Sequence, residues 1–103
     1  MNEIAPSIAR DFPRASASTP VASYAPLNAT ITAYDRSHLL SYARLIDAVT
    51  AGEDWRQVAR LVLGLDVDSN PSAAIACFES HLARARWIAN EGFQQLIEQL
   101  GVE

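Results

Sequence analysis

Residues 54–88 read DWRQVARLVLGLDVDSNPSAAIACFESHLARARWI. Two helices and the turn between them can be read from this stretch. Trp55, Val58, Ala59 and Val62 recur three and four apart, the spacing that lines one face of a helix. Asp54, with Glu53 before it, puts negative charge at that helix's N-terminus, and Gly64 stands where it should end. Leu65-Asp66-Val67-Asp68-Ser69-Asn70 then makes a polar turn with two apolar plugs. Asn70-Pro71 opens the next helix: Asn caps it, and Pro takes the first helical position, whose N–H has no intrahelical partner anyway. Its stripe runs Ala74, Phe78, Leu82, Ala85 and Ile88 or Ala89, up to Gly92, the expected end. Helix, short turn, helix is the layout of a helix-turn-helix, with the segment from Asn70 in the recognition position. A generic helical hairpin has the same spacing.

Working outward, Thr32 and Asp35 form a capping box ahead of a further helix. Leu39, Tyr42, Ala43, Ile46 and Val49 give that helix its apolar face, and Gly52 suits a left-handed cap. On the other side, Phe93, Leu96, Ile97 and Leu100 predict a short final helix. No segment alternates with the period of a strand. The reading is an all-α domain of about four helices over residues 32–103. Trp55, Trp87, Phe78 and Phe93 are expected to supply its largest burial. Residues 1–31 hold four of the five prolines, Pro6, Pro13, Pro20 and Pro26, with Ala/Ser/Thr stretches between them. No helical stripe survives prolines spaced about seven apart, so this part reads as a disordered or loosely docked N-terminal tail. Tyr24 and Ile31 are its candidates for docking.

At 103 residues the chain has room for one domain. It carries 8 basic residues, all arginine, against 12 acids, a net charge of −4 that disfavours a strongly basic nucleic-acid binder. No apolar run approaches the roughly 18 residues of a membrane span. A lone cysteine, Cys77, excludes an internal disulfide and fits a reducing, cytoplasmic setting, as does the lack of a signal-peptide pattern. Cys77 and His81 share a helix face but lack further ligands for a metal. Neither Ser80-His81 nor His38-Ser41 sits in a nucleophile turn. Asp66 and Asp68 resemble the start of a calcium loop, but Pro71 and Cys77 occupy the positions that need Gly and Glu. No phosphate loop or dinucleotide fingerprint is present. The expectation is therefore no catalytic residue, no metal, no cofactor and no small-molecule substrate.

Three blocks, Tyr34 to Ala48, Gly52 to Asp66 and Phe78 to Ile88 (the last reading FESHLARARWI), carry a resemblance. In order and spacing they are similar to the RovC-like DNA-binding domain, a proteobacterial family long described as of unknown function. The resemblance spans about residues 32–98. It implies a helix-turn-helix fold and a role in transcription, often in the control of mobile elements. Small stand-alone members resemble quorum-sensing antiactivators of mesorhizobial symbiosis islands. Those bind transcriptional activators, both a LuxR-type quorum-sensing regulator and an activator with a related domain. They block activation of the excision and transfer of an integrative and conjugative element.

The residues themselves favour protein contact over base readout. A DNA-reading helix presents Arg, Lys, Asn or Gln in its first turns. Here those turns are Asn70 to Cys77, without a basic residue. DNA binding is thus expected to be weak or absent. The partner-binding candidates are Asp47, Asp54, Leu61, Leu65, Asp66, Asp68, Ser72, Ile75 and Ala76. In the alternative reading, a DNA-binding regulator, Arg56, Arg60, Asn70, Ser72 and Arg84 touch DNA.

Overall fold

The computed structural model describes residues 21–99 and 101. The expected disorder of residues 1–20 and the place of Leu100 in the last stripe lie outside the described residues. The described chain is all-α: α1 (Ala33–Ser37), α2 (Leu39–Thr50), α3 (Trp55–Leu63), α4 (Pro71–Trp87), a π-helical segment (Ile88–Gly92) and α5 (Phe93–Gln99). It contains no strand among the described residues.

Four of the local signals for the helix ends hold. Thr32 Oγ1 accepts from the Asp35 N–H, and the Asp35 carboxylate accepts from the Thr32 N–H at 2.8 Å, a complete capping box. Gly52 lies at φ 82°; its N–H bonds the Val49 carbonyl and that of Glu53 bonds Ala48, the two bonds of a Schellman end. Gly64 lies at φ 68°, where a side chain would be strained. Asn70 caps α4 by accepting from the Ala73 N–H at 3.2 Å.

Three expectations about helix breaks, ends and stripes are corrected. The helix expected from Thr32 to Gly52 breaks at His38, φ −118° and ψ 18°. His38 Nδ1 donates to the Tyr34 carbonyl at 2.8 Å and its ring stacks on Tyr34, so a side chain competes with the helical backbone. Gly92 does not end a helix. The chain winds through it in the π segment, and Asn90 Nδ2 donates to the Arg86 carbonyl there. Gly92 is required for space: a Cβ would stand 2.7 Å from the Trp87 ring. On α2, Ala43 is exposed and Leu45 is fully buried, because the larger side chain on the edge of the stripe removes more apolar surface from water.

α4 is central and packs on both α2 and α3. Its predicted stripe is buried throughout: Ala74, Phe78, Leu82 and Ala85, with Ile88 continuing it. The main core joins Ala74, Phe78 and Leu82 to Leu45, Val58, Ala59, Leu63 and Val67, with Trp55 half-buried against it. A second cluster gathers Ile31, Tyr42, Ala85 and Ile88. Phe93, expected among the large burial terms, is 53% exposed.

The packed unit begins earlier than the boundary at residue 31. Residues 21–31 form an extended strap along α4 and α5. Ala25 and Ile31 are buried, while Tyr24 stays outside. The strap advances nine residues from Ala22 to Ile31, about 30 Å of extended chain. That matches the run of helix from Cys77 to Gln95, about 27 Å.

Candidate functional site

α4 is held from inside by a polar cluster. Asp35 and Arg84 pair at 2.8 Å, and both are buried. Arg84 Nε donates to the other Asp35 oxygen at 3.0 Å, making the pair bidentate. The Tyr42 hydroxyl donates to Asp35 at 2.8 Å. Arg84 also donates to the carbonyls of Asn28 and Thr30 on the strap, and its guanidinium lies 4.2 Å from the Trp87 ring centroid. Burial alone would push the Asp35 carboxyl up. The hydrogen bonds from Arg84, Thr32 and Tyr42 outweigh it and hold the group below the usual carboxylate range. Burial, then the neighbouring Asp35, push the Tyr42 phenol well above its ordinary range.

A second polar line runs beside it. His81 Nδ1 donates to the Cys77 carbonyl at 2.7 Å, as only a protonated nitrogen can. Its Nε2 is then free to accept from the Tyr34 hydroxyl at 2.6 Å, and that hydroxyl accepts from the Ala22 N–H. Ser80 accepts from the Ala25 N–H, and the Cys77 thiol donates to the Ala22 carbonyl. Burial holds His81 below its ordinary value and pushes the Cys77 thiol up. A neutral imidazole and a protonated thiol, each bound to backbone, serve here to fasten the strap. Nucleophilic chemistry would need a thiolate. Among the described residues no group of three or more His, Cys, Asp or Glu is placed to hold a metal.

The outer surface carries the residues singled out from the sequence. Leu61 is 66% exposed on α3. Leu65 is half-buried against the main core. Ile75 and Ala76 are partly exposed on α4, and Ser72 is exposed in its first turn. Asp66 accepts from the hydroxyl and the N–H of Ser69, and these bonds lower its pKa. Asp68 pairs with Arg60 at 3.1 Å in the open. Asp54 occupies the N-cap position of α3 without a side-chain capping bond. Asp47 is exposed on α2.

Of the DNA-contact candidates, Arg56 is exposed beside the Trp55 ring, 5.1 Å from its centroid, and Arg60 is the partner of Asp68. Asn70 is engaged as a cap. Arg84 is corrected: it is 6% exposed, bound to Asp35 and the strap, and cannot reach a nucleic acid. Residues 71–83 of α4 contain no cation, and Glu79 is the exposed charge there. The connection from α3 to α4 is seven residues, Gly64 to Asn70, longer than the three- or four-residue turn of DNA-reading hairpins.

No family model matches the chain, and no curated protein matches it.

Cys77 and His81 read from the sequence as a buried thiol beside a half-buried imidazole; the Asp35–Arg84 pair was missed, although α4 carried a signal for it. Cys77, His81 and Arg84 recur at spacings of four and three, beside the apolar stripe. That periodicity widens the buried face and makes its far edge polar. The Thr32–Asp35 spacing signals a cap and nothing more.

Proposed function

We propose that this chain is an antiactivator: a helix-turn-helix-like module that binds transcriptional activators and keeps them from acting. By the family resemblance, its targets are a LuxR-type quorum-sensing regulator and an activator with a related domain. The consequence is restraint of the excision and transfer of a conjugative element. One observation carries the preference for protein over DNA. The outward face of α4, where base readout would occur, has no cation from Pro71 to Ala83, and Arg84 is locked inside by Asp35. Asp66, Asp68 and Glu79 are exposed on and before this face. Phosphate binding gains from counterion release where cations cluster, and this face has none. Exposed Leu61 and partly exposed Ile75 and Ala76 add apolar contact for a partner.

The test is fluorescence anisotropy of the purified chain against its own promoter fragments at low and moderate salt. It is run beside isothermal titration with the two activators. The expected outcome is a stoichiometric complex with an activator and no sequence-selective DNA binding. Tight, salt-sensitive DNA binding, lost in Arg56→Ala with Arg60→Ala, would overturn the reading in favour of a DNA-binding regulator.

A further inference from the structure

A cleft of about 370 Å³ opens where the strap meets the start of α4. Val21, Ala22 and Tyr24 form one wall, Leu65 and Asp66 of the connection another, and Ala73 a third. Ala74 and Cys77, both buried, close its floor. Its volume is at the lower end for pockets that hold small ligands, roughly 300–1,000 Å³. It admits one leucine-sized or aromatic side chain. The floor is apolar, and its one polar group, the Cys77 thiol, is already bonded to the Ala22 carbonyl. The charge on the rim is of one sign. Asp66 stands there, ionised and fixed in place by two bonds from Ser69, and no cation lines the cleft among the described residues.

We infer that this cleft receives an apolar side chain of a partner protein that is flanked by a basic residue. The apolar group fills the space between Leu65, Ala73 and the strap, and the cation meets Asp66. Apolar anchors seated in such pockets are the contacts that dominate interfaces. The acidic rim selects which anchors enter, since a carboxylate next to the anchor would face Asp66. An exposed basic surface with projecting apolar residues is the chemistry of a DNA-binding face, so an activator held here would be masked where it reads DNA. This inference deepens the antiactivator reading and rests on it for the partner's identity. The cleft itself can be tested without a partner.

The probe is tryptamine, an indole carrying an ammonium group, with indole-3-propionate as the same ring carrying a carboxylate. Both are titrated into the full-length ¹⁵N-labelled chain at millimolar concentration. Amide shifts are expected at Ala22, Leu65 and Ala73 with tryptamine. Binding of the anion is expected to be about fivefold weaker, the upper range for an exposed ion pair. Asp66→Asn should remove that preference, and Ala73→Trp, an exposed position filled from within the chain, should abolish both titrations. No shifts at these amides, or equal shifts from both probes, would overturn the proposal. Shifts of the same amides with protein concentration alone would overturn it too, making a second copy the occupant. Activator titrations separate the two readings. If the wild type binds an activator and Ala73→Trp binds it equally well, the cleft assignment fails and antiactivation stands. If tryptamine binds as described but neither activator does, antiactivation fails and the cleft stands.

Discussion

Arg84→Met is the substitution that should cost this fold most for its size. Methionine keeps the helix propensity and most of the stem, but it removes the cation beside Asp35. Asp35 is fully buried and would retain bonds from Thr32 and Tyr42 alone. Removing one partner of a buried pair leaves an uncompensated charge and costs about 3–5 kcal/mol. The strap loses two more bonds, at Asn28 and Thr30. A unit of this size holds about 4–12 kcal/mol in all, from roughly 0.05–0.15 kcal/mol per residue. The variant should therefore be partly unfolded or close to it at 37 °C. Urea titration followed by tryptophan fluorescence measures it, since Trp87 stacks directly on the lost guanidinium. Asp35→Leu with Arg84→Met removes both charges and should lose less than the two single costs combined. The pH dependence has a defined sign. In the wild type the Asp35 pKa is lowered, so its stabilisation is present above the unfolded value, about 3.9, and is lost as pH falls through the folded one. In Arg84→Met, burial of Asp35 is opposed by fewer bonds and its pKa rises. The variant should then gain stability relative to the wild type as pH falls from 7 toward 5. A cost below about 1 kcal/mol, the value of a surface pair, would refute the reasoning.

His81 in the wild type shifts the other way from the Arg84→Met variant. Its folded pKa is lowered, so the unfolded chain binds the proton more readily, and thermal stability should fall as pH drops below about 6.5, the unfolded value. A melting temperature that is flat between pH 7.5 and 5 would contradict this. Tyr34→Phe should cost about 1–3 kcal/mol, because the Ala22 N–H and His81 Nε2 both lose their partner; urea denaturation reads it. Gly92→Ala should cost about 1–3 kcal/mol through overpacking against Trp87 and change the near-ultraviolet circular dichroism of that ring. Gly52→Ala meets open space and should cost about 1–2 kcal/mol from its left-handed backbone alone, with the tryptophan signal unchanged.

Sequence and structure agree where a signal is local. Asn70-Pro71, the Thr32–Asp35 box and the glycines at 52 and 64 each specify a backbone feature within a few residues, and each is found. The stripe from Ala74 to Ile88 is legible because one helix touches two others along its length. What escaped the sequence reading depends on distant partners. Arg84 looks like any solvated arginine until Asp35 is brought to it across 49 positions. The break at His38 is invisible to apolar periodicity, since the side chain that causes it is polar. The outer surface was legible in kind, acidic with apolar points. The cleft was not, because the strap forms one wall and a proline-containing segment gives no sign of where it will lie.

The strap has a consequence in time. Its amides and carbonyls are secured by Ser80, Arg84, Gln95 and Gln99, which follow it by 54 to 68 positions. At about 5–20 residues per second, these partners are synthesised roughly 3–14 s after the segment they hold. The part of the described fold that leaves the ribosome first is thus the last to be fastened. In that interval the amides and carbonyls of the strap have none of these partners, and they can meet other chains.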